Sequence, residues 1–280
     1  MKKLTSIILS ALLALSLASC GAAPTAKSSA APAPPAESTV PQNKPVELTV
    51  FAAASLTETM DEIIKAYKAT APDVSIVATY DSSGTLKTQI AEGASCDIFI
   101  SAAGKQMDAL ESGKSKDNLD FIAPETRVKL LENKVVLIAP KENPAKIAHF
   151  SDIATCKLVS LGNSDVPVGG YSLEILKNLG IDIKKLESDG KVTYGSNVKE
   201  VLTQVKEGVV DCGIVYATDA ASAGLDVIEE AKPDMCSQVI YPAAILKNSA
   251  NKEAAQAFLT YLQGDEAMKI FRSVGFMPVK

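Results

Sequence analysis

Between Glu47 and Asp219 the chain alternates two kinds of short segment, and that rhythm limits the folds open to it. Runs rich in β-branched and aromatic residues at 47–53, 74–79 and 97–101 read as strands. Between them, 56–69 carries Met60, Ile63, Ile64 and Tyr67 at helical spacing, 85–91 reads as a shorter helix, and a further helix crosses 107–110. This β-α-β-α-β order predicts an α/β fold with a parallel sheet and helices on both faces. A second unit of similar size follows, with strands at 135–139, 158–161, 192–194 and 212–216. Its helices lie at 172–179, ended by Gly180, at 198–206, ended by Gly208, and from near Asp219. A strand at 239–246 and helices at 252–262 and 266–274 finish the chain. Two α/β lobes in series predict a cleft between them. Ligands of open α/β sheets sit beyond the carboxyl ends of the strands, so the strand-to-helix turns are the places to look.

Five turns stand out. Ser55-x-x-Glu58 ahead of an apolar helix is a capping-box pattern. Ser82-Ser83-Gly84-Thr85 again starts a helix with serines. Val166-Pro167-Val168-Gly169-Gly170 has glycines that allow close backbone approach and unusual dihedrals. Gly195-Ser196-Asn197-Val198 puts a capping residue before a helix, and Tyr216-Ala217-Thr218-Asp219 closes the set. Each offers backbone N–H groups at a helix start, and most add a hydroxyl. Helix N-termini are electropositive and hold unpaired donors, so several converging on one point can hold an anion without a formal cation. A single serine in such a turn is more often just a cap contributing about 1 kcal/mol. Asp81, Asp165 and Asp219 lie near the same turns and offer acceptors, or caps and salt bridges.

The charge balance agrees with a local anion site. Formal charge is −5, with no basic cluster, which argues against nucleic acid as a partner. Met1-Lys2-Lys3 followed by a short apolar stretch and small residues reads as a secretory signal. The stretch falls short of the roughly 20 apolar residues of a spanning helix. Loss of residues 1–19 removes Lys2 and Lys3 and takes the formal charge from −5 to −7. Residues 20–46 are rich in Ala, Pro and Ser and read as a disordered tether. Apart from Cys20, the cysteines are Cys96, Cys156, Cys212 and Cys236, which allow three disulfide pairings. Cys156 and Cys212 fall at the starts of two second-lobe strands and are candidate neighbours. With no Cys-x-x-Cys spacing and a single histidine, His149, the inventory argues against a zinc site.

Two resemblances sharpen this reading. Leu17-Ala18-Ser19-Cys20 resembles the lipobox of bacterial lipoproteins, which implies lipidation of Cys20. Val50-Phe51-Ala52-Ala53-Ala54-Ser55-Leu56-Thr57, Ser82-Ser83-Gly84-Thr85-Leu86, Asp97-Ile98-Phe99-Ile100-Ser101-Ala102, Val166-Pro167-Val168-Gly169-Gly170-Tyr171 and Gly213-Ile214-Val215-Tyr216 occur in this order. With Tyr241-Pro242 and Gly275-Phe276, they look like the periplasmic molybdate-binding proteins of ABC transporters, over residues 47–280. The resemblance implies a type II two-lobed periplasmic-binding-protein fold, each lobe a mainly parallel sheet flanked by helices. Lobe 1 is then 47–133 plus 242–280, lobe 2 is 134–241, and the strands at 135–139 and 239–246 link them. It implies that Ser55 and Ser83 donate hydroxyl and backbone hydrogens to the oxyanion, Val168 and Val198 donate backbone N–H, and Tyr216 donates its hydroxyl. The ligand is molybdate or tungstate, whose metal is held as its oxyanion without direct protein–metal ligands, and no cofactor is expected. The implied partner is the membrane permease of an ABC importer. The chain is expected to be monomeric and lipid-anchored on the outer side of the cell membrane. Two positions depart from the common pattern: Gly84 stands where many relatives have Ser, and Val168 where Ala is common.

Other readings compete. Sulfate is smaller, and a donor shell set for longer bonds would hold it poorly. A serine hydrolase needs a base beside its nucleophile, but His149 lies apart from the five turns and there is no Gly-x-Ser-x-Gly elbow. A sensor domain feeding a signalling partner would need a cytoplasmic or membrane segment.

Overall fold

The computed structural model describes residues 45–279. The signal segment 1–19, Cys20 and nearly all of the tether assigned to 20–46 lie outside the described residues; Val46, counted in that tether, already begins the first strand.

In chain order, β1 (Val46–Ala53) leads through a 3₁₀ turn (Ala54–Leu56) into α1 (Thr57–Thr70). Then come β2 (Val74–Asp81), α2 (Ser83–Ala91), β3 (Ile98–Ile100), α3 (Gly104–Asp108) and β4 (Val128–Asn133). The second lobe holds β5 (Val135–Ile138), a 3₁₀ turn (Phe150–Ala154), β6 (Val159–Gly162), α4 (Pro167–Asn178), α5 (Ile183–Ser188), β7 (Val192–Gly195), α6 (Val198–Lys206), β8 (Cys212–Tyr216), α7 (Ala217–Ala223) and β9 (Val227–Glu230). The chain returns through β10 (Val239–Ile245), α8 (Lys252–Leu262), α9 (Asp265–Ser273) and β11 (Met277–Pro278).

Two open sheets result, ordered β11-β4-β10-β3-β1-β2 and β7-β6-β8-β5-β9. Both are mixed. β1 pairs in parallel with β2 and β3, as β6 does with β7 and β8, but β10 runs antiparallel to β3 and β4, and β5 antiparallel to β8 and β9. The antiparallel members follow from the crossings between lobes. β4 ends at Asn133 in one sheet and β5 begins at Val135 in the other, so the chain changes lobe across Lys134. It comes back between Glu230 and Val239, and β10 lies wholly in the first sheet.

Helices form where apolar residues recur on one face. Thr59, Met60, Ile63 and Tyr67 are the buried residues of α1, which stops before Pro72. Val198, Val201, Leu202 and Val205 are buried along α6, and Gly208 ends the turn beyond it with φ +69°. Helix α4 starts five residues earlier than the helix expected at 172, because Pro167 sets its first turn. Gly169 and Gly170 are therefore helical, with no unusual dihedral. The close-approach reading holds for Gly169: an added Cβ would lie 2.3 Å from Gly162 O and 2.6 Å from Asn163 O. This seats the start of α4 on the carboxyl end of β6.

Candidate oxyanion site

The turns between strands and helices meet at a small cavity between the lobes. Ala53, Ala54, Ser55, Asp81, Ser82, Ser83 and Ala102 line it from the first lobe, and Val166, Pro167, Val198 and Tyr216 from the second. Its volume is about 10 Å³, room for about one water-sized sphere and far below the roughly 300 Å³ at which pockets for larger organic ligands begin. Its serines and Tyr216 are buried, so the polar groups that line it are held largely out of bulk water.

Each side chain is set by its local sequence. Ser82, the N-cap of α2, accepts from Thr85 N–H at 3.1 Å, which leaves Ser83 as the first helical residue. Ser83 Oγ accepts from Ala102 N–H at 2.9 Å, so its own hydrogen is free for the cavity. Asn197 caps α6 by accepting from Glu200 N–H at 3.0 Å, placing Val198 in the first turn. The first N–H groups of a helix have no partner within it.

Ser55 departs from its expected role. It sits inside the 3₁₀ turn rather than capping α1, and α1 has no side-chain cap at all. Ser55 Oγ lies 2.8 Å from the Tyr241 hydroxyl. Asn133 donates from Nδ2 to Tyr241 OH at 3.3 Å and to Thr218 Oγ1 at 2.9 Å, and its Oδ1 accepts Lys134 N–H at 2.8 Å, which fixes the amide's orientation. Tyr241 thus accepts from Asn133, and its hydroxyl and that of Ser55 share one hydrogen bond.

Tyr216 closes β8 and precedes α7. It is 1 % exposed, and its hydroxyl has no hydrogen-bond partner. Burial, with smaller contributions from Tyr241, Tyr171 and Asp219, raises its pKa well above the ordinary phenol value, so it stays a donor. A buried hydroxyl without a partner costs about 1–3 kcal/mol, an observation that calls for an acceptor in the cavity.

Ser55, Ser83, Val198 and Tyr216, singled out in sequence, therefore line one cavity. Val168, expected to offer its backbone N–H alone, is fully buried in the first turn of α4, next to Val166 and Pro167, which line the cavity. Tyr241 and Asn133 were not read as site residues. No lysine, arginine or histidine lines the cavity. Asp81 does, and its Oδ1 accepts Ser82 N–H at 2.6 Å. Asp219 is wholly buried, 3.1 Å from Lys199 Nζ but not aligned as a hydrogen bond. Among the described residues no His, Cys, Asp and Glu cluster could hold a metal ion. His149 lies in a second-lobe loop, its side chain 68 % exposed and 3.7 Å from Glu229. Cys156 and Cys212 are neighbours, as their strand starts suggested; both are buried and unbridged, and the Cys156 thiol donates to Ile153 C=O at 3.4 Å.

Two lobes of mixed sheet, crossed at Lys134 and again before Val239, with a small cavity between them rimmed by helix starts, define a type II solute-binding fold. The chain belongs to the bacterial extracellular solute-binding proteins, a family that it matches over residues 48–277. It is 38 % identical over 242 residues, 86 % of this chain and 90 % of the relative, to a Bacillus subtilis protein provisionally named an ABC transporter substrate-binding lipoprotein, YvgL. It is 34 % identical to the molybdate-binding protein ModA of Haemophilus influenzae, over 82 % of this chain and 89 % of that one. A solved substrate-binding domain of a provisionally assigned molybdenum ABC transporter from Clostridium difficile superposes with a TM-score of 0.63 at 35 % identity, covering 84 % of this chain and all of that one. The family is one of binding proteins, yet an aconitate isomerase of a Pseudomonas species is also similar, at 24 % identity over 83 % of this chain and 88 % of the isomerase.

Proposed function

We propose that this protein captures molybdate or tungstate in the cavity between its lobes and hands it to the membrane permease of an ABC importer. The observation that carries the reading is the unpartnered, buried Tyr216 hydroxyl in a cavity rimmed by helix starts and serine donors, where the one carboxylate, Asp81, has an oxygen taken up by Ser82 N–H. In this reading Ser55 and Ser83 donate their hydroxyl hydrogens and Tyr216 its phenol, with backbone N–H from the first turns of α4, at Val168, and of α6, at Val198. A fully deprotonated tetrahedral dianion needs only donors, and helix N-termini supply them without a lysine or arginine. The similarity to ModA proteins supports the choice of anion.

In this reading the protein acts by closing its lobes rather than by catalysis, which its membership of a solute-binding family supports. Residues 1–19 serve as an export signal. Cys20 carries the lipid, the residues between it and β1 tether lobes that the chain crosses at Lys134 and between Glu230 and Val239, and the protein works as a monomer on the extracytoplasmic face of the cell membrane. The relative named as a lipoprotein supports the anchor. Isothermal titration of the purified chain with molybdate, tungstate, sulfate and phosphate tests the ligand. One-to-one binding of either metal oxyanion with none of sulfate is expected; a folded protein that binds neither molybdate nor tungstate overturns the reading. Loss of lipid labelling in Cys20→Ala tests the anchor.

A further inference from the structure

Glu58 and Lys199 stand 141 residues apart and in different lobes, yet they meet across the cleft. Ser55-x-x-Glu58 has the spacing of a capping box, but the Glu58 carboxylate serves no cap. It accepts from Lys199 Nζ at 2.9 and 2.8 Å, one hydrogen bond to each oxygen. The same ammonium lies 3.1 Å from Oδ1 of Asp219. Lys199 follows Val198 in the first turn of α6, and Asp219 lies in the first turn of α7, so both belong to the second lobe. None of the three lines the cavity, although Val198 and Tyr216, close to them in the chain, both do.

The two carboxylates play different parts. Asp219 is 0 % exposed and lies in the same lobe as Lys199, so opening the cleft need not part them. It holds the lysine near one position, which lowers the entropy cost that usually makes such pairs weak. Burial pulls the Lys199 pKa down, but Asp219 and Glu58 more than offset it, so the ammonium is retained. Glu58, 55 % exposed on the other lobe, can reach the ammonium only while the cleft is closed. A backbone contact accompanies it: Gly84 N–H donates to Asp165 C=O at 2.9 Å, again from one lobe to the other. Neither contact needs the ligand.

We propose that Glu58, Lys199 and Asp219 form a latch that slows opening of the closed lobes, so that an ion bridge outside the cavity helps set how long the bound oxyanion stays. Asp219 positions the lysine, and Glu58 is the part that lets go. The inference rests on the oxyanion reading above.

The test compares molybdate dissociation, chased with excess tungstate, for the full chain and for Glu58→Gln, Lys199→Met and the double variant. Glu58→Gln is expected to speed release about two- to fivefold with an unchanged association rate. The same change in the Lys199→Met background is expected to do nothing more. Equal release by wild type and Glu58→Gln, or an undiminished effect in the Lys199→Met background, overturns the latch and leaves the oxyanion reading standing. Should Lys199→Met fail to fold, Glu58→Lys, which faces the ammonium with a like charge, replaces it and must release faster than Glu58→Gln. A wild-type chain that binds no molybdate overturns the ligand reading alone. X-ray scattering of the ligand-free proteins then decides the latch: a larger radius of gyration for Glu58→Gln supports it, and equal radii overturn it.

Discussion

The Tyr241 hydroxyl lies 2.8 Å from Ser55 Oγ, although the two residues are 186 apart in the chain. Tyr241 sits on β10 in the first sheet, edge-on to the Tyr216 ring with centroids 5.8 Å apart. Asn133, the last residue before the crossing at Lys134, donates to the same hydroxyl. A short polar chain therefore runs from the hinge to the cavity, from Asn133 through Tyr241 to Ser55. Hydrogen bonds in such chains polarise one another.

Tyr241→Phe breaks the chain without touching the cavity lining. Ser55 loses the partner that orients it, and Asn133 keeps only Thr218 for its amide hydrogens. Molybdate affinity is expected to fall about five- to tenfold, consistent with roughly 1 kcal/mol for a neutral hydrogen bond. Calorimetric titration of the variant checks it; affinity equal to wild type would show that Ser55 is oriented by other means.

Tyr216→Phe separates a ligand role from a structural one. Its hydroxyl has no protein partner, so the ligand-free chain loses nothing when it is removed and sheds a desolvated polar group. Thermal stability without ligand is expected to hold or rise by up to about 1–3 kcal/mol, while oxyanion affinity drops by about tenfold or more. A variant that is destabilised and binds normally would place the hydroxyl in the fold rather than the site.

Gly84→Ala tests closure. A Cβ at Gly84 would lie 2.3 Å from Asp165 O and 2.7 Å from its Cα, both backbone atoms of the facing lobe. Within its own lobe the position is a helical residue where alanine is favoured. The ligand-free protein is therefore expected to melt at or above the wild-type temperature. Affinity is expected to fall by at least about tenfold, because the lobes cannot meet without a shift costing more than about 1.4 kcal/mol. Unchanged affinity would mean that Asp165 yields easily.

These three tests show where the sequence could be read and where it could not. Ser83, Val198 and Tyr216 were legible because each sits where a strand pattern gives way to a helix start, a local signal. Val168 was expected to give only its backbone N–H, and it sits in the first turn of α4 next to Val166 and Pro167, which line the cavity. β4, with Lys129 and Glu132 breaking its apolar run, and β9, reading Val-Ile-Glu-Glu, lack the continuous hydrophobicity of the inner strands and were not foreseen. The same holds for α5, six residues with Leu186 alone buried. The contacts between Ser55 and Tyr241, Gly84 and Asp165, and Glu58 and Lys199 arise only when the lobes meet. No local pattern encodes them, and Ser55 and Glu58 carried a local pattern that pointed elsewhere.

Asp219 gives the ligand-free protein a distinct dependence on pH. Burial raises its pKa from 3.8 to about 6, against the opposing pull of Lys199. In the unfolded chain it titrates near 3.8, so between that value and about 6 the folded state holds a proton that the unfolded state has released. Protonation therefore favours folding in this window: the contribution is gained as pH falls through 6 towards 4 and lost as pH rises. At 1.36 kcal/mol per pKa unit the swing is on the order of 3 kcal/mol. Other carboxylates act in the opposite direction, so the quantity to follow is the difference between wild type and Asp219→Asn. Lys199 stays protonated throughout, and its loss of a partner in the variant is a constant offset. Urea unfolding at pH 4, 5, 6 and 7 is expected to show wild type losing about 3 kcal/mol relative to the variant across the series. A difference that stays flat would mean that Asp219 remains ionised in the fold, with Lys199 outweighing its burial.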